Sequence, residues 1–377
     1  MSIRKIIFIT GFIFAGLCQN PGFGQVISSA ELKMMTVLNS EAVGIPKDLQ
    51  TSKSIVVISI QDDDTKVRGD WETIAEQAHF YIRKLGIDAV LYFYIDDLIA
   101  GYDVQLAIAA QMNAREVKNI FMLSKDVVNG KDQFIGVLTT YNQRPNFISN
   151  NQAAWKSQTT DMEILFRNLA RAIDNAALTM ENLLILDSPE YFQGVDIIRG
   201  KRFESFNTDL RIDRIAIPQF LDLPIPENSG DQSTEKIVAL INEENANNLS
   251  RNAQLEQLMS DYSYKFAIVP YEYDEKKLLT KGFQFVLMRI NSSGKNVRKL
   301  LGYDINDEVD ALVTIKKDKE QNVSIKSIPI DGMIYKYYVK HINSGDIYLG
   351  EQWDGDDNWQ DALNNHITAI IKKLEAK

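Results

Sequence analysis

The stretch Asp354-Gly355-Asp356-Asp357-Asn358 sets oxygen-bearing side chains at alternate positions, Asp354, Asp356 and Asn358. That pattern suits a hard cation such as Ca²⁺, which gathers about six to eight oxygen ligands. An EF-hand would need glycine sixth and glutamate twelfth in the loop, where Trp359 and Asn365 stand instead. The same residues open an amphipathic helix, and carboxylates there also cap the helix and complement its dipole. A Ca²⁺ site and a helix cap are both consistent with this spacing.

A second acidic group, Asp62-Asp63-Asp64, follows the apolar run Ile55–Ile60. The carboxyl end of a buried strand is the usual ligand side of an open α/β sheet. Three carboxylates there could hold a divalent ion or act as a general base, or could simply form a solvated turn. The run from Gly194 to Lys201 has the outline of a phosphate-binding loop. It carries five residues between its glycines instead of four, and Arg202 replaces the Mg²⁺-binding Ser or Thr. Only three histidines occur, His79, His341 and His366, with no HExxH pairing and no Gly-x-Ser-x-Gly elbow. Aromatic runs, Tyr92-Phe93-Tyr94 and Tyr335, Tyr337, Tyr338, could form a binding face or pack as core and cross-strand pairs.

The elements that must position these groups alternate. Ile55–Ile60 is a continuous β-branched run, as expected of a strand covered on both faces. Asp70 caps a helix whose apolar residues run from Trp71 to Leu85, and Gly86 ends it. Strands are expected at Ala89–Tyr94, Asn119–Leu123 and Phe134–Thr139, with a helix at Tyr102–Val117 and a turn at Asn129–Asp132. A polar loop, Asn142–Thr160, leads to an amphipathic helix from Asp161. The order β-α-β-α-β-β-α indicates an α/β layered fold. Apolar pieces at Leu183–Leu186 and Ile212–Phe220 follow. Two prolines in Leu223–Asp231 then suggest a stiff linker.

Beyond it come an Asn-rich helix (Thr234–Ser260), a strand (Phe266–Tyr271), a short helix (Asp274–Lys281) and a strand (Phe283–Met288). Four strand-like segments lie between Val309 and Trp353, with a hairpin turning on Asn343–Asp346. A final helix starts at Asp357. The organisation expected is an N-terminal segment at 25–45, α/β domains at 46–222 and 233–377, and a linker at 223–232. The second domain should be richer in antiparallel sheet. The two halves share a strand, helix, strand grammar (residues 87–123 and 264–288) that fits either a duplication or the common habit of α/β layers.

Arg4 and Lys5, an apolar run of about a dozen residues, and small Gly22 and Gly24 before Gln25 form a three-part secretory signal over residues 1–24. The ending Gly22-Phe23-Gly24-Gln25 resembles signal-peptide endings common in Bacteroidetes. The apolar run is shorter than the roughly 20 residues needed to cross a bilayer. Cys18 is the only cysteine. Bulky Leu17 before it disfavours a lipidated cysteine, and its removal with the signal would leave no disulfide or thiolate chemistry. Losing Arg4 and Lys5 and no acid takes the formal charge from −10 to −12. That balance argues against nucleic acid as a partner, and no apolar stretch of the mature chain reaches membrane-spanning length.

The last part of the chain has a long strand, a turn on Ser344-Gly345, a strand ending at Gly350, an acidic loop, and Trp359 opening the final helix. Over residues 264–377 this order resembles the TolB N-terminal domain and the LpoB- or CsgG-like accessory proteins of cell envelopes. The resemblance implies a binding or assembly module and carries no family site residue with it. The function expected is therefore an exported, periplasmic or secreted, non-enzymatic module that binds a protein or envelope component. A carboxylate- or metal-dependent hydrolase using Asp62–Asp64 or Asp354–Asp357, and a small-ligand carrier, are the alternatives.

Overall fold

The computed structural model describes residues 38–39, 44–60, 68–128, 131–149, 152–182, 184–225, 232–271, 273–304, 309–317 and 323–376. The expected signal, most of the N-terminal segment at 25–45, Asp62–Asp64 and the Asn129-Gly130 turn lie outside these residues.

The first sheet contains β1 (Leu38–Asn39), β2 (Lys53–Ile60), β3 (Asp88–Tyr94), β4 (Val117–Val128), β5 (Lys131–Thr140) and β6 (Gln152–Thr159). Its helices are α1 (Trp71–Lys84), α2 (Ile95–Leu98), α3 (Tyr102–Ala114) and α4 (Met162–Ala176). Asp70 and Asp161 accept from Thr73 N and Ile164 N, capping α1 and α4 as their sequences indicate. The strand β6 falls inside the stretch expected to be a loop. It lies between β5 and the two-residue β1, and of its side chains only Ala154 and Trp155 are buried, so its sequence is largely polar.

The second sheet contains β7 (Arg202–Phe203), β8 (Arg214–Pro218), β9 (Phe266–Val269), β10 (Phe283–Ser293), β13 (Met333–His341) and β14 (Ile347–Tyr348). The hairpin β11 (Ala311–Lys317) and β12 (Val323–Pro329) forms a separate two-stranded sheet. The helices are α5 (Gln232–Met259), α6 (Glu275–Thr280), α7 (Gly294–Leu300) and α8 (Trp359–Glu375). The chain is a mixed α/β protein.

The spatial orders, β1-β6-β5-β4-β2-β3 and β7-β14-β13-β10-β8-β9, are the same wiring twice. Strand directions agree at every step: parallel, antiparallel, antiparallel, parallel, parallel. The sheets have an equal share of antiparallel pairs, and the antiparallel excess expected of the second half resides in the β11–β12 hairpin. Strands β7 and β8 precede the proline-rich stretch yet belong to the second sheet. The change of sheet thus occurs between Ala176 and Arg202, upstream of the expected 223–232 linker. Prolines mark a stiff connection, here the one leading from β8 to α5, and do not by themselves mark a boundary.

Alternation along the strands builds three cores. Val56 and Ile58 of β2 point to an outer core under α1 and α4, while Ile55 and Val57 point to a central one. In the second sheet Phe285, Leu287, Tyr337 and Val339 face an outer core beneath α5 and α8. Val286, Met288, Ile290, Ile334 and Tyr338 face the same central core as Ile55 and Val57. Short elements fill the middle, with Val104, Ile108 and Met112 from α3, Leu278 from α6, and Val297 and Leu300 from α7. The sheets therefore share one apolar interior. The halves come close at Gly101, before α3, where an added Cβ would stand 2.5 Å from the carbonyl oxygen of Arg289. Beside it Asn291 N donates to Ala100 O at 2.7 Å.

Candidate functional site

Three polar clusters interrupt these cores. Two lie between the sheets, where α2 and α3 carry acids toward the second half. Asp97 takes a two-pronged contact from Arg68, at 2.8 and 2.5 Å, and accepts from Ser292 Oγ (2.9 Å) and Asn296 Nδ2 (2.5 Å). Arg68 also lies over the Tyr94 ring, 4.6 Å from its centroid. One helix further on, Asp103 accepts from Lys340 Nζ at 2.9 and 3.0 Å and from Tyr338 Oη at 3.1 Å. Lys340 donates in addition to Glu275 Oε1 at 2.7 Å. Burial, and then the charge of Asp103, push the Tyr338 hydroxyl well above its ordinary range, so it is a fixed donor.

The third cluster contains the acidic loop. Asp354 is paired with Lys336 Nζ at 2.5 Å and with His366 Nδ1 at 2.8 Å, all three buried. Burial alone would raise the Asp354 pKa. Lys336 and His366 outweigh it and hold the carboxyl below its usual value. Burial lowers the His366 pKa, opposed by Asp354. Asp356 accepts from Lys326 at 2.8 Å, and Asp357 also receives that ammonium. Asn358 caps α8, accepting from Gln360 N (2.8 Å) and Asp361 N (3.3 Å). The three oxygens read as Ca²⁺ ligands thus face two lysines, a histidine and a helix start. A second cation beside those ammonium groups would be repelled. Among the described residues, no cluster of three or more histidines and carboxylates is arranged to hold a metal ion.

The remaining sequence candidates are dispersed. Residues 194–201 carry neither strand nor helix and dock on the β13–β14 turn, where Gly200 N donates to Gly345 O and Lys201 N to Asp346 Oδ1. His79 sits between Tyr92 Oη (2.8 Å) and Leu186 O (3.0 Å), and His341 bonds Ser344 Oγ. Tyr92, Phe93, Tyr94, Tyr337 and Tyr338 are core residues. Lys336 and Lys340 escape a reading of the sequence, because lysine in a strand ordinarily signals an edge or a solvated face. The period-two face Ile334, Lys336, Tyr338, Lys340 is lysine at every second place, and only the fold buries it.

The surface shows the converse anomaly. Of the Leu183–Leu186 piece, the described residues 184–186 join no strand, and Met180, Leu184 and Leu186 are 53%, 96% and 61% exposed. This stretch links the sheets and is pinned on either side. Glu181 N and Asn182 N donate to Gln50 O, and further along Tyr92 N donates to Glu190 O.

No protein-family model matches this sequence, and a search of curated proteins returns no match.

Proposed function

We propose that this protein is an exported, non-enzymatic module of the cell envelope or its exterior that binds a protein partner through the apolar stretch between its sheets. The supporting observation is the exposure of Met180, Leu184 and Leu186 on a segment whose flanks are hydrogen-bonded in place. Apolar groups held outside on an anchored stretch are what a binding surface requires. The signal-like first 24 residues support export.

The chemistry of the interior points the same way. A carboxylate-dependent hydrolase needs an acid that can reach substrate. Asp354 and Asp356 are buried and bound to Lys336 and Lys326.

The test is cross-linking of the purified protein to envelope extract, with the Leu184→Asp/Leu186→Asp variant in parallel. Wild type should yield a defined adduct that the variant loses while keeping its melting temperature, since exposed substitutions usually shift stability by about 0.5 kcal/mol or less. An adduct unchanged in the variant overturns the reading. So does turnover in a hydrolase screen that Asp354→Asn abolishes.

A further inference from the structure

The two sheets are wired alike, so what one half has and the other lacks stands out. In the first half β4 passes to β5 across residues 129–130 alone. At the same place the second half inserts α7 and the β11–β12 hairpin between β10 and β13. The first sheet shows that this wiring closes without a hairpin, so the insertion answers some other need.

The hairpin has two unlike faces. Leu312, Thr314 and Ile328 are buried against the body of the protein. Val313, Ile315 and Ile325, the latter two directly paired in register, point outward at 55%, 52% and 77% exposure. Among the described residues the backbone of β11 pairs with no strand but β12, while on the buried face the Thr314 hydroxyl accepts from Asn365 Nδ2 of α8. Open edges are normally blunted by charge or proline. In β11 charge is confined to the end, Lys316 and Lys317, and the run Ala311-Leu312-Val313-Thr314-Ile315 before it carries neither charge nor proline.

The flanks of β11 indicate what pairs there. The sequence runs from an acid, Asp310, through the five uncharged residues to Lys316 and Lys317. A strand acidic at its start and basic at its end is complementary to itself when antiparallel. We infer that a second copy of this chain docks edge to edge on β11, antiparallel about Val313. In that register Val313 meets its counterpart, Ala311 meets Ile315, and Asp310 falls opposite Lys316 of the second copy. The two hairpins become one four-stranded sheet whose outer face carries Val313, Ile315 and Ile325 of each copy, a geometry in which cross-strand pairs stabilise. This goes beyond partner capture by the 180–186 stretch and does not depend on it.

The experiment is sedimentation equilibrium of the full mature chain with paired charge changes. Wild type should show a monomer–dimer equilibrium. Asp310→Lys alone and Lys316→Asp alone each place like charges together at both ends and should weaken dimerisation at least tenfold. An equimolar mixture of the two variants should restore it, because each then supplies what the other lacks. Circular dichroism and melting curves matching wild type confirm that both variants are folded. The inference is overturned if wild type remains monomeric at about 100 µM, a concentration at which even weak association registers. It is equally overturned if neither charge change weakens the dimer, or if the mixture fails to restore it. Loss of the cross-linked adduct in Leu184→Asp/Leu186→Asp is a separate result and leaves this one untouched.

Discussion

β5 and β13 hold the same position in their sheets, yet they meet the shared interior with different chemistry. β5 presents Ile135 and Val137 to it, while β13 presents Ile334, Lys336, Tyr338 and Lys340. The first half supplies its charge from helices instead, as Asp97 and Asp103. Equal wiring therefore does not give equal surfaces. The Asp103–Lys340 pair takes its acid from one half and its lysine from the other, whereas Asp97 is paired with Arg68 of its own half and Lys336 with Asp354 of its own. Such pairs add little net stability but make wrong pairings costly.

The largest effect expected from breaking this asymmetry follows from Asp103→Ala. It strands Lys340 with only Glu275 and leaves Tyr338 without its acceptor, and losing one partner of a buried pair costs about 3–5 kcal/mol. Urea denaturation should show that loss, and Asp103→Leu combined with Lys340→Met should recover most of it. If the double variant is no better than the single, the pair does not join the halves as described. Gly101→Val tests the same junction sterically. Its Cβ would collide with Arg289 O, and forced separation of packed surfaces costs about 1–3 kcal/mol.

The cluster within the second half should respond to pH. Burial depresses the His366 pKa below its unfolded value, so the unfolded chain binds the extra proton first. Stability is full above the unfolded value of about 6.5 and falls as pH drops below it, by at most about 1.4 kcal/mol per unit. His366→Gln should flatten the slope between pH 5 and 7 in thermal melts, and a slope unchanged in the variant would contradict the assignment. The smallest effect is expected at the caps. Asp161→Ala on α4 and Asn358→Ala on α8 should each cost about 1 kcal/mol, matching across equivalent helices.

What could be read from the sequence divides along physical lines. β2 and β3 were legible because they are apolar on both faces, and α1, α4 and α8 because their caps precede a clear helical period. β6 was not, since an outlying strand beside a two-residue neighbour buries too little to need an apolar pattern. Ile212–Phe220 was recognisable as an apolar piece but not as an inner strand of the second sheet, because its pairing partners β9 and β10 arrive only with residues 266–293. For the site, a helix start at the acidic loop was visible in the spacing, although the capping side chain is Asn358 and not a carboxylate. Its neighbours' lysine partners were not, since Lys326 and Lys336 are brought there only by the fold.

The shared interior also governs the order in which this chain can finish folding. If it crosses a membrane N-terminus first, the first sheet is complete once Thr159 has emerged. The apolar underside of that sheet must then wait for Phe283–Ser293 and Met333–His341 to cover it. Over that interval a half-made molecule displays a greasy plane to its surroundings. Safe delivery thus calls for rapid translocation or for a holding chaperone on the far side.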